Sequence, residues 1–412
     1  MVANMENKSL KPKIRFKGFT EAWEQRKFSD VGCVSMCKRI FKTQTTDIGE
    51  VPFFKIGTFG KTADSYITKK LFNEYKAKFS YPEKGDILIS ASGSIGRIVE
   101  FSGKDEYFQD SNIVWLKHNK EISNEFLKQL YQIVKWYGIE GTTIQRLYNS
   151  NILNTEFKMP SIDEQNKISS LLNCIDNLIT LHQRKCDKLV NIKKSLLEKM
   201  FPKNGNNVPE IRFKGFTEAW EQRKLSEIAT MHARIGWQNL RKNEFLDSGK
   251  YLLITGTDFE NGEINYSTCH YVEKERYIQD KNIQVENGSI LITKDGTLGK
   301  VALVRKLPIP ATLNAGVFNV KNNKILSDNK YVFQYLKAPF LMNYVLQNAT
   351  GGTIKHLNQN ILVDFIVKMP NIDEQSKIGE FLDCIDNLIT LHQKKLNKLK
   401  NIKKSLLDKM FV

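Results

Sequence analysis

Apolar residues return at intervals of three and four in two stretches of the chain, the spacing of a coiled-coil seam. In 158–201 the series is Ile168, Leu171, Ile175, Leu178, Leu189, Ile192 and Leu196, and in 368–411 it is Ile378, Phe381, Ile385, Leu388, Leu399, Ile402 and Leu406. Aligned without gaps, these two stretches are identical at 33 of 44 positions. Each is expected to form one long helix. Ser161 and Asn371 are placed to cap the first turn, with Glu164 and Glu374 reaching back as in a capping box, and Asp163 and Asp373 complement the helix dipole. Lys193, Lys194 and Lys199 load the other end of the first helix and Pro202 stops it. About 39 helical residues make a rod of about 58 Å. A rod with one apolar stripe needs a partner, and the second copy supplies it if the two run antiparallel. His182 and His392 fall at equivalent seam positions, read as a hydrogen-bonded polar layer that fixes register in preference to a pH or ligand switch.

The duplication extends further. IRFKGFTEAWEQRK at 14–27 recurs unchanged at 211–224, and CIDNLITLHQ at 174–183 recurs at 384–393. Between these frames lie two dissimilar inserts, about 28–157 and 225–367, whose patterns switch to short apolar runs joined by polar turns. GDILISASGSIGRIVEF from Gly85 and GSILITKDGTLGKVALV from Gly288 each read as two strands joined by a glycine turn. A further strand follows (113–116; 317–320), then an amphipathic helix (124–137; 329–346) and a polar Gly/Thr/Ile turn (141–144; 351–354). The expected fold class is therefore α/β: two globular domains of mixed α/β type separated by two long antiparallel helices forming a coiled coil, a pseudo-twofold internal repeat. The expected divisions are 1–157, 158–208, 209–367 and 368–412.

Composition narrows the partner. With 62 Lys+Arg against 45 Asp+Glu, the formal charge is +17, which points to a polyanion. Each rod carries only about +2 of this, so the excess follows the inserts. No stretch approaches 18 uninterrupted apolar residues and the first residues lack an apolar signal core, so a soluble cytoplasmic protein with no membrane partner is expected. The cysteines, Cys33, Cys37, Cys174, Cys186, Cys269 and Cys384, are scattered, which favours reduced, packed thiols, and no metal is assigned.

Catalytic signatures are missing from the sequence. Gly296 to Lys300 looks like the tail of a P-loop, yet Val301 follows the lysine where Ser or Thr is required. There is no GxGxxG, HExxH or nucleophile elbow, and no Asn-Pro-Pro-aromatic motif of an adenine methyltransferase. The chemistry on offer is recognition. Candidate DNA readers in the first insert are Lys55, Thr58, Lys61, Lys69, Lys70, Ser92, Arg97, Gln145 and Arg146. In the second they are Arg234, Trp237, Gln238, Asn239, Thr257, Lys294, Lys300, Lys355 and His356. Arg and Lys suit guanine or phosphate, and Asn and Gln suit adenine. The repeated Phe16, Phe19 and Trp23, with Phe213, Phe216 and Trp220, are identical in both copies and cannot distinguish two sequences, so they read as a docking or packing element.

Variable domain, long helix ending in KKSLL, second variable domain and second such helix, with GDILIS..GSIG, RIGWQNL at Arg234, YLLITGTDF at Tyr251 and MP.IDEQ..I at each helix start, closely resemble the specificity subunit of type I restriction-modification systems. That resemblance implies that each insert is a target recognition domain reading one half of an asymmetric bipartite double-stranded DNA target. It implies that the paired helices set the gap and dock two methyltransferase subunits, joined by ATP-hydrolysing restriction/translocase subunits. The chain is then non-catalytic alone, with no cofactor of its own; S-adenosylmethionine, ATP and Mg belong to the partners. A self-sufficient nuclease or methyltransferase and a basic coiled-coil adaptor are the alternatives. The first insert lacks an RIGWQNL-like stretch between Cys33 and Glu50.

Overall fold

The computed structural model describes residues 10–138, 146–203, 205–235, 239–295, 298–348 and 357–412. The chain divides into two compact units, Met1–Gln183 with Lys394–Val412, and Arg184–Gln393.

In the first unit an antiparallel sheet runs in the order β2 (Gly32–Met36), β8 (Ile113–His118), β5 (Ile87–Ser90), β6 (Ile98–Glu100). The two central strands, β5 and β8, are buried on both faces over most of their length, which is why they read as nearly continuous apolar runs. Ile87, Ile89, Val114 and Leu116 face α3 (Asn124–Leu130), with Phe126, Leu127 and Leu130 in the same core. Leu88, Ile113 and Trp115 point the other way, toward a three-stranded sheet of β4 (Tyr66–Ile67), β3 (Val51–Phe54) and β7 (Tyr107–Phe108), and toward Phe72 on α2 (Lys69–Lys78). A short helix α1 (Phe28–Val31) and α4 (Asn149–Asn154) close the unit, with a ribbon of β1 (Glu24–Lys27) on β9 (Glu156–Met159).

The second unit repeats this plan with different side chains. Its ribbon is β10 (Glu221–Lys224) with β21 (Ile366–Met369), and α6 (Leu225–Ile228) follows β10. The main sheet is β11 (Ala229–Ala233), β20 (Val317–Asn322), β17 (Ile290–Thr293), β18 (Val301–Leu303). The second sheet is β15 (His270–Val272), β12 (Tyr251–Ile254), β19 (Ala311–Leu313), β16 (Gln284–Val285), and β13 (Phe259–Glu260) with β14 (Glu263–Ile264) forms a hairpin. The amphipathic helix expected over 329–346 is two helices, α8 (Asn329–Lys337) and α9 (Pro339–Asn348), with the short α7 (Lys274–Ile278) and α10 (Gln359–Val363) elsewhere. The break falls at Ala338, which is extended (φ −68°, ψ 162°) because it precedes Pro339.

The two long helices are α5 (Ile162–Lys199) and α11 (Ile372–Met410). Each unit holds the start of one and the end of the other, running antiparallel. In the first unit Asp176 on α5 pairs with Lys403 on α11 at 2.7 Å, while Ile168 and Leu172 share a core with Leu407 and Met410. In the second, Lys193 pairs with Asp386 at 2.6 Å and the Cys186 thiol donates to Gln393 Oε1 at 3.7 Å.

The seam is offset from the expected series. Leu178, Ile192, Phe381, Leu388 and Ile402 are 39 to 40% exposed, and Leu171, Leu189, Leu196, Leu399 and Leu406 are half-buried. Ile168, Leu172, Ile175, Cys186 and Lys193 are buried, as are Ile378, Leu382, Ile385, Leu396 and Leu407. At Leu171-Leu172, Phe381-Leu382 and Leu406-Leu407 the second of the two adjacent apolar residues lies deeper. At 193 and 403 a lysine takes the seam place beside Ile192 and Ile402, its stem packed and its ammonium held by an aspartate. His182 and His392 are half-buried.

The expected capping box also changes. Asn371 Oδ1 accepts from the Glu374 amide at 2.9 Å, but the Glu374 carboxylate turns to Arg212, which grips both its oxygens at 2.7 and 2.8 Å. Arg15 grips Glu164 at the same distances. Both carboxylates are buried, and a bidentate guanidinium satisfies them better than one backbone N–H. The repeated frame is therefore a packing element of its own unit. Trp23 meets Phe126 and Phe411 edge-on, Trp220 meets Phe201, and EQRK supplies the ribbon strands.

Candidate nucleic-acid interface

In the first unit the ends of β2, β5, β3 and β7 and the start of β8 come together, because β2 and β5 both run antiparallel to β8 and β3 runs parallel to β7. The loops that leave them form one polar surface. Ser92 bridges to Arg146 and donates its hydroxyl to Asn112 Oδ1 at 2.8 Å. Arg146 donates to Ser111 Oγ at 2.6 Å and lies over the Tyr148 ring, with its guanidinium exposed. Gly93 and Gly96 take φ of 65° and 78° in the turn after β5, which lets Arg97 close it. Arg97 Nη1 then donates to Phe59 O at 2.9 Å, tying in the 55–61 turn where Thr58 Oγ1 accepts from the Lys55 amide. Lys55 pairs with Asp64 at 2.9 Å, and its hydrogen bond holds the Asp64 carboxyl below the usual range. Lys61 is exposed on the same turn. Arg39 and Asp110 form a further pair here that the pattern did not single out.

Lys69 and Lys70 are not part of this surface. Antiparallel pairing sets Ile67 beside Val51, so the start of α2 lies at the opposite end of β3 from Lys55. There the Lys69 amide donates to Glu50 and its ammonium pairs with Asp105.

The second unit builds the same surface from other residues. The ends of β11, β17, β12 and β19 and the start of β20 converge by the equivalent pairings. Lys294 lies between strands, its amide donating to Gly316 O, its carbonyl accepting from Leu357, and its ammonium 5.7 Å from the Phe318 ring. With Asp295, Ile235, Asn358 and Gln359 it lines a cavity of about 400 Å³. The Thr255 and Thr257 hydroxyls are 2.7 Å apart on the turn after β12. Thr257, Asn239 and Lys300 are exposed.

Arg234 departs from its expected role. It is 2% exposed, and its guanidinium donates to Leu313 O at 2.9 Å and Thr312 Oγ1 at 3.3 Å. Burial, then the nearby Arg276, lowers its pKa. It joins β11 to β19 from inside, so RIGWQNL announces a structural tie at its first residue. Gln145, Trp237, Gln238, Lys355 and His356, with the 141–144 and 351–354 turns, lie outside the described residues.

This assembly offers hydroxyls, amides and cations on loops held by rigid strand ends, which suits hydrogen bonding to base edges and phosphates. Burial pushes the Cys37 and Cys269 thiols up to about 12, so neither is a nucleophile at neutral pH. Among the described residues no group of His, Cys, Asp and Glu is arranged to hold a metal ion.

Two segments of the chain, 20–191 and 217–401, match the type I restriction modification DNA specificity domain. The chain belongs to the type I restriction-modification specificity family. Each match begins inside a copy of the repeated frame and ends inside a long helix, so the duplication is a duplication of the specificity domain. A putative type I restriction enzyme specificity subunit of Haemophilus influenzae is 55% identical over 150 residues, 36% of this chain and 39% of that relative, so the match spans under half of it. The MjaVIII specificity subunit of Methanocaldococcus jannaschii is 22% identical over 335 residues, covering 79% of this chain and 75% of its own. The solved S subunit from M. genitalium has the same fold, with a TM-score of 0.62 at 18% identity over 98% of this chain and 99% of that one. Among the described residues of this specificity-family chain, no helix is long and apolar enough to cross a membrane.

Proposed function

We propose that this chain is the DNA-reading subunit of a cytoplasmic type I restriction-modification complex, and that each strand-end surface reads one half of an asymmetric bipartite target. The observation that carries the reading is the double construction of one surface: the same strand ends, held by identical frames, present Ser92, Asn112 and Arg146 in one unit and Lys294, Asn358 and Gln359 in the other. Different side chains on one scaffold read different bases with the same approach. The long helices dock two methyltransferase subunits, and through them the restriction/translocase subunits. Leu178 and Leu181 on α5 and Leu388 and Leu391 on α11 support this, because they recur in identical CIDNLITLHQ segments and are 40 to 46% exposed. The chain recognises and does not catalyse; S-adenosylmethionine, ATP and Mg act on the partner subunits. Incubating the chain with its methyltransferase partner and random duplex DNA, then sequencing methylated adenines, is expected to give one split motif with an unread spacer. Methylation at a continuous motif, or transfer by the chain alone, overturns the proposal.

A further inference from the structure

Each unit joins its globular part to the long helices through a polar node built on equivalent residues, and the two nodes differ in charge. In the first unit α3 and the turn that follows it supply neutral amides. Gln129 Nε2 donates to Asn173 Oδ1 at 3.0 Å and Asp176 Oδ2 at 3.2 Å, and Gln132 donates to Gln129 Oε1 while accepting from Lys403. In the second unit Gln334 on α8 repeats the role of Gln129, donating to Asp386 at 2.8 Å. The other contributions from the globular part are cations. Lys337, in the place of Gln132, approaches Asp386 to 3.5 Å. Arg305 pairs with Asp383, which stands where the first unit has Asn173, and Lys330 reaches the same carboxylate at 3.9 Å. Arg305 and Lys337 also lie over the Phe333 ring, 5.9 and 5.4 Å from its centroid. Asp383 is 8% exposed, so this is a partly desolvated ion cluster in which the charges are little screened by salt.

Resting on the function proposed above, we infer that Arg305, Lys337, Asp383 and Asp386 are positioning residues for DNA recognition. They fix the angle at which the second globular part leaves the helix pair, and that angle decides where its reading loops land along a duplex. The first unit performs the same task with amide hydrogen bonds. A cluster of this kind acts by orientation: Arg305, Lys330 and Lys337 from the globular part meet Asp383 and Asp386 on α11, with Arg305 also 3.6 Å from Glu263, and a tilt of the globular part separates the pairs that reach α11. Its loss therefore affects the spacing and register of recognition in the second half-site while leaving base contacts intact.

The test uses the full chain assembled with its methyltransferase partner and duplexes carrying the split motif with the optimal spacer, or with a spacer one base pair longer or shorter. In the D383A/D386A and K337M variants, which remove the charges without installing the amides of the first unit, the preference for the optimal spacer is expected to fall by about ten-fold, equivalent to about 1.4 kcal/mol of orientation preference. Lys337→Arg should restore it, and D176N should disturb the first half-site alone. Circular dichroism and co-purification with the partner verify that each variant is folded and assembled; if the double variant does not fold, K337M and R305M carry the test. Unchanged spacer preference in the folded variants overturns the inference. A wild-type complex that marks no split motif overturns the functional reading instead, so the two failures are distinct.

Discussion

Removing the Arg212 side chain leaves the Glu374 carboxylate with no cation, and this carboxylate is among the most deeply buried charges among the described residues. Its side chain is 0% exposed and both oxygens accept from Arg212, at 2.7 and 2.8 Å, while the adjacent carboxylate raises the Arg212 pKa. Breaking a buried pair from one side costs about 3 to 5 kcal/mol because the remaining ion is uncompensated. For a unit of this size that is a fall of about 6 to 20 °C in Tm. Replacing both partners removes the stranded charge, so R212M/E374M should lie well above R212A although it deletes the same contact. Thermal unfolding of R212A, R212M/E374M and wild type decides the matter, with hydrogen exchange on peptides from 211–220 and 372–380 localising the effect to the second unit. A loss below about 1 kcal/mol for R212A, the range of an exposed pair, would show that Glu374 is not stranded as a buried ion. The Arg15 and Glu164 pair provides an internal repeat, since R15A should produce the same loss in the first unit.

Leu172→Ala, at a position 0% exposed, should cost about 2 to 5 kcal/mol, whereas Leu178→Ala should stay within about 0.5 kcal/mol in denaturant unfolding; comparable losses contradict the seam described above. Asp386 is held below its ordinary pKa of 3.8: burial pushes it up, but Lys337, Lys193 and Gln334 together outweigh this. A depressed carboxylate stabilises the fold above its unfolded pKa, so that contribution should disappear as pH falls below about 4, and D386N should flatten this part of a stability-against-pH curve. Arg234→Ala should lower the stability of the second unit by about 1 to 3 kcal/mol, because its buried carbonyl and hydroxyl partners lose their donor; full stability with weakened DNA binding contradicts its structural role. Arg146→Ala should leave stability unchanged and reduce the salt dependence of DNA affinity by about one counterion, and an unaltered slope argues against phosphate contact.

Much of the architecture was legible because repetition and period are one-dimensional signals. The ends of α5 and α11, their antiparallel pairing within each unit and the strands near Gly85 and Gly288 all follow from spacing and turn residues. What escaped depends on choices that spacing leaves open. Leu171 and Leu172 satisfy the same three–four template, and only packing against Leu407 selects the second. Glu164 and Glu374 carry a helix-start signature, yet the arginine that captures each lies about 150 residues earlier in the chain. Arg234 reads as an exposed cation by type, and its burial depends on a carbonyl and a hydroxyl from β19 that no local pattern announces. Among the readers, Ser92, Arg97 and Arg146 are brought together by strand pairing, while Lys69 and Lys70, similar by composition, are carried to the other end of β3.

On the function proposed above, each strand-end surface reads one half of the target. Replacing residues 225–365 by a second copy of 28–155, with both frames and both long helices retained, gives a chain with two identical reading surfaces. Sequencing the DNA methylated by its complex should then show the first half-site twice, as an inverted repeat around a spacer. An asymmetric motif from that chain, or a motif with no trace of the first half-site, contradicts the account.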